Sequence, residues 1–156
     1  MSESLMLSLI FVGIIALIGY IGAKLGVARG FVLTTAIFAG AEAALWWGDR
    51  SGNWISDLLG AGAATGRFVA AMTILLLSTL LLGVVASSAL TWGTPSRWGA
   101  SLGGLLGAAN GALLIAMALR LYYLAYEGRL TSDPLDDSIV TRVLWQNFDW
   151  FVLGFL

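Results

Sequence analysis

Residues 5–21 read LMLSLIFVGIIALIGYI and contain no charged side chain. A helix rises about 1.5 Å per residue, so this run covers most of the roughly 30 Å of hydrocarbon in a bilayer. We therefore predict a first membrane-spanning helix over residues 5–23. The residues before it carry no positive charge, and the run is longer than in a typical cleaved signal sequence. We expect this helix to be retained.

The composition extends this prediction to the whole chain. Of the 156 residues, 59% are hydrophobic and 11% are charged, and the mean hydropathy is +0.90. Soluble domains carry more charge and less apolar surface. We predict one membrane domain over residues 1–156, with three further spans at about residues 31–47, 68–90 and 101–123.

Polar and glycine-rich sequence follows the second predicted span. Residues 48–66 include Asp49, Arg50 and Asp57 among several glycines, which is typical of a loop. We predict the longest internal loop here. Its apolar residues are Trp54, Ile55, Leu58 and Leu59, and they are compatible with a short interfacial helix.

The last part of the chain has a different pattern. Apolar residues recur there at helical spacing: Val140, Leu144, Phe148, Phe151 and Phe155. Arg142, Gln146 and Asp149 occupy the other side, so residues 138–155 are predicted to form a helix lying along the membrane surface. The predicted fold class is therefore an all-α integral membrane protein with four transmembrane helices plus a C-terminal amphipathic surface helix.

Aromatic and basic residues bear on the boundaries and the orientation. Every tryptophan falls at a predicted helix end or in a surface segment: Trp46, Trp47, Trp54, Trp92, Trp98, Trp145 and Trp150. This is the aromatic-belt pattern of membrane proteins. The two short turns hold Lys24, Arg29 and Arg97 without an acid, although the other side has more arginines in total. We expect the short turns to be cytoplasmic and both termini to be non-cytoplasmic.

Several classes of function are disfavoured by composition. The chain has no Cys and no His, so the usual ligands for haem, chlorin and zinc are missing. Its net charge of −1 and scattered basic residues make nucleic acid an unexpected partner. We predict no catalytic residues, no metal and no tightly held cofactor, and expect that the protein is not an enzyme. Peripheral contacts with lipid, quinone or pigment remain open.

Two series of glycines have helical spacing. Gly99, Gly103, Gly107 and Gly111 recur every four residues in the fourth span, and Gly22, Gly26 and Gly30 do so across the first turn. Glycines four apart share a helix face and permit close approach of another backbone. For the fourth span, packing inside this subunit is favoured over an interface with another chain. For the first turn, turn formation and packing are equally plausible.

Three polar residues fall within the predicted spans. Glu42 is the one carboxylate well inside a span, and intramembrane acids often mark function. Asn110 lies at a similar depth in the fourth span, so we predict a contact between Glu42 and Asn110. Arg120 lies near the outer end of that span, where it is expected to anchor the helix at the interface or to pair with a subunit or lipid phosphate.

Several of these residues, taken together in order, resemble a known family. They are the Gly26–Phe31 segment with Arg29, Gly30 and Phe31, then Gly83, which we also predict to be a helix-packing glycine, the Leu102–Gly103 pair with Gly107 and Gly111, and a last helix from Ser138. In this order the chain resembles the colicin V production protein family of bacterial inner-membrane proteins. The resemblance implies four spans in the bacterial cytoplasmic membrane, an external C-terminal part, and no established catalytic reaction.

The chain also departs from that family's pattern at positions where charge is usual. Val12 stands where an early acid is common, Leu33 and Thr34 replace a charged pair, and Asn110 stands where Arg or Lys is common. Any role that those charges have in the family is in doubt here.

Three hypotheses for function follow. The leading one is a non-enzymatic membrane scaffold or accessory protein that binds lipid and other membrane subunits, or itself, through helix packing. The second is an accessory subunit of a larger bioenergetic or photosynthetic complex. The third is a small oligomeric proton-coupled transporter that uses Glu42.

Overall fold

The computed structural model describes residues 3–89, 95–126 and 138–147. Helix accounts for 93% of these residues, and no strand occurs among them. Four of the helices are long and apolar enough to cross a membrane. The predicted all-α fold with four spans is confirmed.

Five helices follow one another along the described chain. Their bounds are Glu3–Leu25 (α1), Val27–Leu59 (α2), Ala63–Ala89 (α3), Arg97–Ala125 (α4) and Ile139–Gln146 (α5). Helices α1 and α4 extend the predicted spans 5–23 and 101–123 slightly at both ends. Helix α3 begins before the predicted residue 68, and residue 90 lies outside the described residues.

The second helix differs most from its prediction. It was predicted over 31–47, but it begins at Val27 and continues to Leu59. The predicted loop over residues 48–66 is therefore wrong, because only residues 60–62 separate α2 from α3. The apolar residues that were expected to form a separate interfacial helix belong to the last turns of α2.

The glycines of α2 explain why it does not end at the predicted position. A Cβ on Gly48 would lie 3.0 Å from the Cβ of Ala71, and a Cβ on Gly52 would lie 2.7 Å from the Cα of Arg67. Both glycines therefore allow α3 to approach α2 closely, which is the small-residue packing of membrane helices. The chain uses them as packing residues rather than as turn residues.

Two other glycines make the turns. Gly26 separates α1 from α2 with a φ of 82°, and Gly60 ends α2 with a φ of 61°. A residue with a Cβ is strained in this left-handed region. Because α2 begins directly after Gly26, Arg29 lies in its first turn and not in the predicted charged turn.

The helices pack in two close pairs. Helix α1 packs mainly on α4 and α2 mainly on α3, and a smaller contact between α2 and α4 joins the pairs. Along their described lengths no Cα atom of α1 lies within 8 Å of a Cα atom of α3. The centre of the bundle holds the fully buried side chains of Ile37, Leu75 and Leu113.

The C-terminal helix α5 is attached to the α1–α4 pair. Leu144 belongs to a buried cluster with Ile115, Ala116 and Leu119 of α4, and the Ser138 hydroxyl lies 3.0 Å from the Ser8 hydroxyl of α1. Residues 148–155 of the predicted amphipathic helix, and Trp92 and Trp150, lie outside the described residues.

The α2–α3 pair is longer than the rest of the bundle. Ala125, the last residue of α4, lines a cavity together with Gly48 of α2, so the rest of α2 continues beyond α4 for about 15 Å. This extension carries Asp49, Arg50 and Asp57. The α2–α3 pair therefore places these charges beyond the last residue of α4.

Candidate functional site

A buried amide joins α2 to α4. Asn110 has no exposed surface, its Nδ2 donates to the Gly30 carbonyl oxygen at 2.8 Å, and its Oδ1 accepts from the Thr34 hydroxyl at 2.7 Å. The Thr34 hydroxyl also lies 3.0 Å from the Gly30 carbonyl. Asn110 thus has a partner for both ends of its amide group, as a buried polar group requires.

Gly30 packs against α4 beside this contact. A Cβ at this position would lie 2.6 Å from the Cδ2 of Leu106 on α4, so a side chain there would require Leu106 to move. The neighbouring Phe31 points outward and is 60% exposed.

The predicted contact between Glu42 and Asn110 is wrong. Asn110 lies beside Gly30 and Thr34, and Glu42 lies about two turns, or roughly 12 Å, further along α2. The prediction assumed that spans two and four begin at one level. Instead the first turns of α4 precede α2, since Gly103 packs against Gly26 at the start of α2.

Glu42 is exposed on the outer face of α2. One turn further along, Trp46 and Trp47 are 81% and 57% exposed. Tryptophans are enriched at the membrane interface, and Glu42 lies one helical turn nearer to the start of α2 than Trp46. Arg120 is also exposed, near the end of α4.

The predicted glycines of α4 face α1. A Cβ on Gly107 would lie 2.6 Å from the Ile18 carbonyl oxygen, and one on Gly103 would lie 2.6 Å from the Gly22 carbonyl oxygen. Gly111 packs near Ile15 in the same way. The backbones of α1 and α4 therefore touch directly within one chain.

Gly99 does not take part in this contact. Of the described residues, a Cβ there would have only the Ser96 hydroxyl and Pro95 as near neighbours. Ser96 caps α4, because its hydroxyl oxygen accepts from the Gly99 backbone N–H at 3.1 Å. Gly99 thus belongs to the cap of the helix and not to the α1–α4 contact.

Sequence reasoning missed a second row of small residues. Small residues recur every four positions along the α3-facing side of α2: Gly40, Ala44, Gly48, Gly52 and Ser56. A Cβ on Gly40 would lie 2.9 Å from the Leu75 carbonyl oxygen of α3. The later residues of the row, from Gly48 onward, were predicted to lie in a loop because of the polar residues around them.

A groove opens between α1 and α3, with α2 and α4 behind it. Its part near the start of α2, which we call the Arg29 groove, has a volume of about 350 Å³. The lining is almost entirely apolar and includes Ile21, Leu33, Leu80 and Leu114. Gly83, predicted as a packing glycine, also lines it, and its nearest neighbour is Leu33 at 3.6 Å from a built Cβ.

Two polar residues in the lining of this groove have buried atoms without a partner. The Arg29 Nε and the Thr79 hydroxyl are both buried and make no hydrogen bond among the described residues. Thr79 is 8% exposed. Such groups are rare in folded proteins, so this groove is the most unusual site in the described bundle.

The groove continues toward the opposite end of the bundle. A second cavity of about 350 Å³ shares Leu76 and Leu114 with the Arg29 groove. Its far end is bounded by Phe68 and Tyr122, whose rings meet edge to face with centroids 5.3 Å apart. The two cavities follow one another along the space that separates α1 from α3.

A third, smaller cavity lies at the far end of the bundle. It has a volume of about 180 Å³ and is lined by Asp49 and Arg67 among small and apolar residues. None of the three cavities is lined by Glu42. Within residues 3–89, 95–126 and 138–147, no group of three or more acidic side chains could hold a metal ion.

Comparison with family models, with curated proteins and with solved structures finds no match. The resemblance to the colicin V production family therefore stays a prediction.

Proposed function

We propose that this chain is a non-enzymatic scaffold or accessory protein that binds other membrane subunits, or a second copy of itself, through the outer face of α2. The observation that carries the proposal is the position of Glu42. It is exposed on that face. We place Trp46 and Trp47 at the membrane interface, so Glu42 lies about one turn inside the membrane, where a carboxylate facing lipid is unfavourable. A protein partner would cover it and supply a hydrogen bond or a counter-charge.

The interior of the bundle supports a structural role. Asn110 uses its amide to hold α2 against α4, and rows of small residues bring the paired backbones into contact. These groups stabilise the bundle, which leaves the outer surface for partners.

For location, we propose the bacterial cytoplasmic membrane with both termini on the non-cytoplasmic side. Lys24, Arg29 and Arg97 lie near the end of the bundle where α1 meets α2, and no Asp or Glu occurs between Glu3 and Glu42 or between Asp57 and Glu127. Basic residues without acids are typical of the cytoplasmic side. The resemblance to the colicin V production family supports the same placement.

Site-specific photo-cross-linking tests the proposed surface. A photo-reactive amino acid at Trp46, on the Glu42 face, is expected to capture a defined protein in native membranes. The same probe at Leu81, exposed on α3, should capture mainly lipid. In the protein that carries the probe at Trp46, Glu42→Gln should reduce the amount of cross-linked product severalfold. The control substitution Thr73→Val, on the exposed side of α3, should leave that amount unchanged. Equal capture at both probe positions, or an adduct indifferent to Glu42, would remove the basis of the proposal.

Two alternatives have different outcomes in related experiments. An accessory subunit of a bioenergetic or photosynthetic complex would co-purify in mild detergent with that complex and its pigment or quinone absorption. A transporter formed by several copies around Glu42 would show pH-dependent flux in liposomes that Glu42→Gln abolishes. Either result would replace the scaffold proposal by the corresponding function.

A further inference from the structure

The Arg29 groove has an unusual combination of one cation and an apolar lining. Arg29 lies in the first turn of α2 with its Nε buried and without a hydrogen-bond partner. Among the residues that the structure describes, no Asp or Glu lines the groove. A guanidinium in such surroundings is expected to be neutralised by an anion.

The electrostatics of this end of the bundle favour an anion. Lys24 and Arg97 are exposed near the same end, and the sequence places no acid in the neighbouring parts of the four long helices. The N-terminus of α2 lies there too, with Gly26 providing no side-chain cap, so its dipole and free N–H groups add positive potential.

From Arg29 toward the middle of the bundle, the lining of the groove suits a hydrocarbon chain. It lies between α1 and α3, whose described Cα atoms are all more than 8 Å apart. Its walls are formed by side chains such as Ile21, Leu80 and Leu114.

We propose that the Arg29 groove binds an anionic phospholipid, with its phosphate at Arg29 and an acyl chain between α1 and α3. The guanidinium donates to the phosphate oxygens in the forked geometry that arginine provides. The apolar lining accommodates the chain. The headgroup lies at the membrane boundary near Lys24, where lipid phosphates are found.

Native mass spectrometry of the full chain in detergent, titrated with phosphatidylglycerol or phosphatidylcholine, tests this assignment. Phosphatidylglycerol is expected to bind at least about fivefold more tightly, which corresponds to one basic residue near an anionic headgroup. Arg29→Gln should remove this preference, and Arg29→Lys should retain part of it. Arg97→Gln, an exposed cation at the same end, should change it less than twofold.

A second variant tests the acyl-chain part without altering the charge. A Cβ at Gly83 fits, since its nearest neighbour is 3.6 Å away, so Gly83→Leu is expected to fold while filling the groove. It should weaken binding of both lipids severalfold. This variant remains informative even if Arg29→Gln does not fold.

Several results would overturn the proposal. One is equal binding of the two lipids by the wild-type protein, and another is the same loss of preference in Arg97→Gln as in Arg29→Gln. Competition by millimolar inorganic phosphate as strong as that by the lipid would indicate a free-phosphate site. Disulfide-linked dimers of Leu80→Cys that form in place of lipid binding would assign the groove to a second copy.

Discussion

The contact between α1 and α4 can be tested with two identical substitutions in one helix. A Cβ on Gly22 would lie 2.7 Å from the Cα of Gly107, and still closer to the Gly103 carbonyl oxygen. A Cβ on Gly13 would have no described neighbour within 4 Å. Gly22→Ala and Gly13→Ala therefore share the same chemical change and differ only in what the new methyl group meets.

The expected magnitude follows from this geometry. Restoring an ordinary carbon–carbon separation of about 3.5 Å requires the backbones to move apart by roughly 0.8 Å at Gly22. Overpacking of this kind lowers the free energy of unfolding by about 1–3 kcal/mol. Gly13→Ala gains up to about 0.5–1 kcal/mol because alanine favours helix more than glycine does.

Thermal unfolding in a fixed detergent, followed by tryptophan fluorescence, measures the difference. With roughly 2 kcal/mol between the two variants and about 2–4 °C per kcal/mol for a chain of this size, Gly22→Ala should unfold about 4–8 °C below Gly13→Ala. If Gly22→Ala is as stable as Gly13→Ala or more stable, α1 and α4 do not pack through these glycines.

Three further substitutions probe other parts of the bundle, each by the same unfolding assay. Gly66→Ala should destabilise by about 1–3 kcal/mol because its Cβ would lie 2.5 Å from the Gly52 carbonyl oxygen, whereas Gly62→Ala, with open space around it, should not. Asn110→Ala should cost about 1–2 kcal/mol through loss of the α2–α4 hydrogen bonds, and an unchanged melting temperature would contradict their role. Gly60→Ala should cost about 1–2 kcal/mol because of its positive φ, and a neutral effect would argue against the left-handed end of α2.

The spans were predictable where contact with lipid is the main constraint on the sequence. Residues 5–21 have no charge, so α1 follows from composition and length. The end of α2 was not predictable in the same way. Gly48 and Gly52 are typical of a loop in water and equally of a helix face in close contact with another helix. Only the position of α3 decides between the two.

The same limit applies to the candidate site. The position of a residue along its own helix could be counted from the sequence. The relative heights at which α2 and α4 begin could not be counted in this way. Glu42 and Asn110 were therefore placed together although Asn110 pairs with Thr34. Arg29 was assigned to a turn because it follows Lys24 closely, and its partial burial depends on α2 beginning at Val27.

The position of the groove follows from which helices carry small residues on facing sides. Gly103 and Gly107 bring α4 against α1, and Gly40 and Gly48 bring α2 against α3. Each of the outer helices, α1 and α3, is thereby held by a different partner. The two pairs are joined by the contact around Asn110, by the central apolar side chains, and by smaller contacts of α1 with α2 and of α3 with α4. No Cα atom in the described part of α1 lies within 8 Å of a Cα atom of α3. The groove is therefore a consequence of how the helices pair. A substitution that separates the two helices of one pair should change the width of the groove even though it replaces none of the residues that line it.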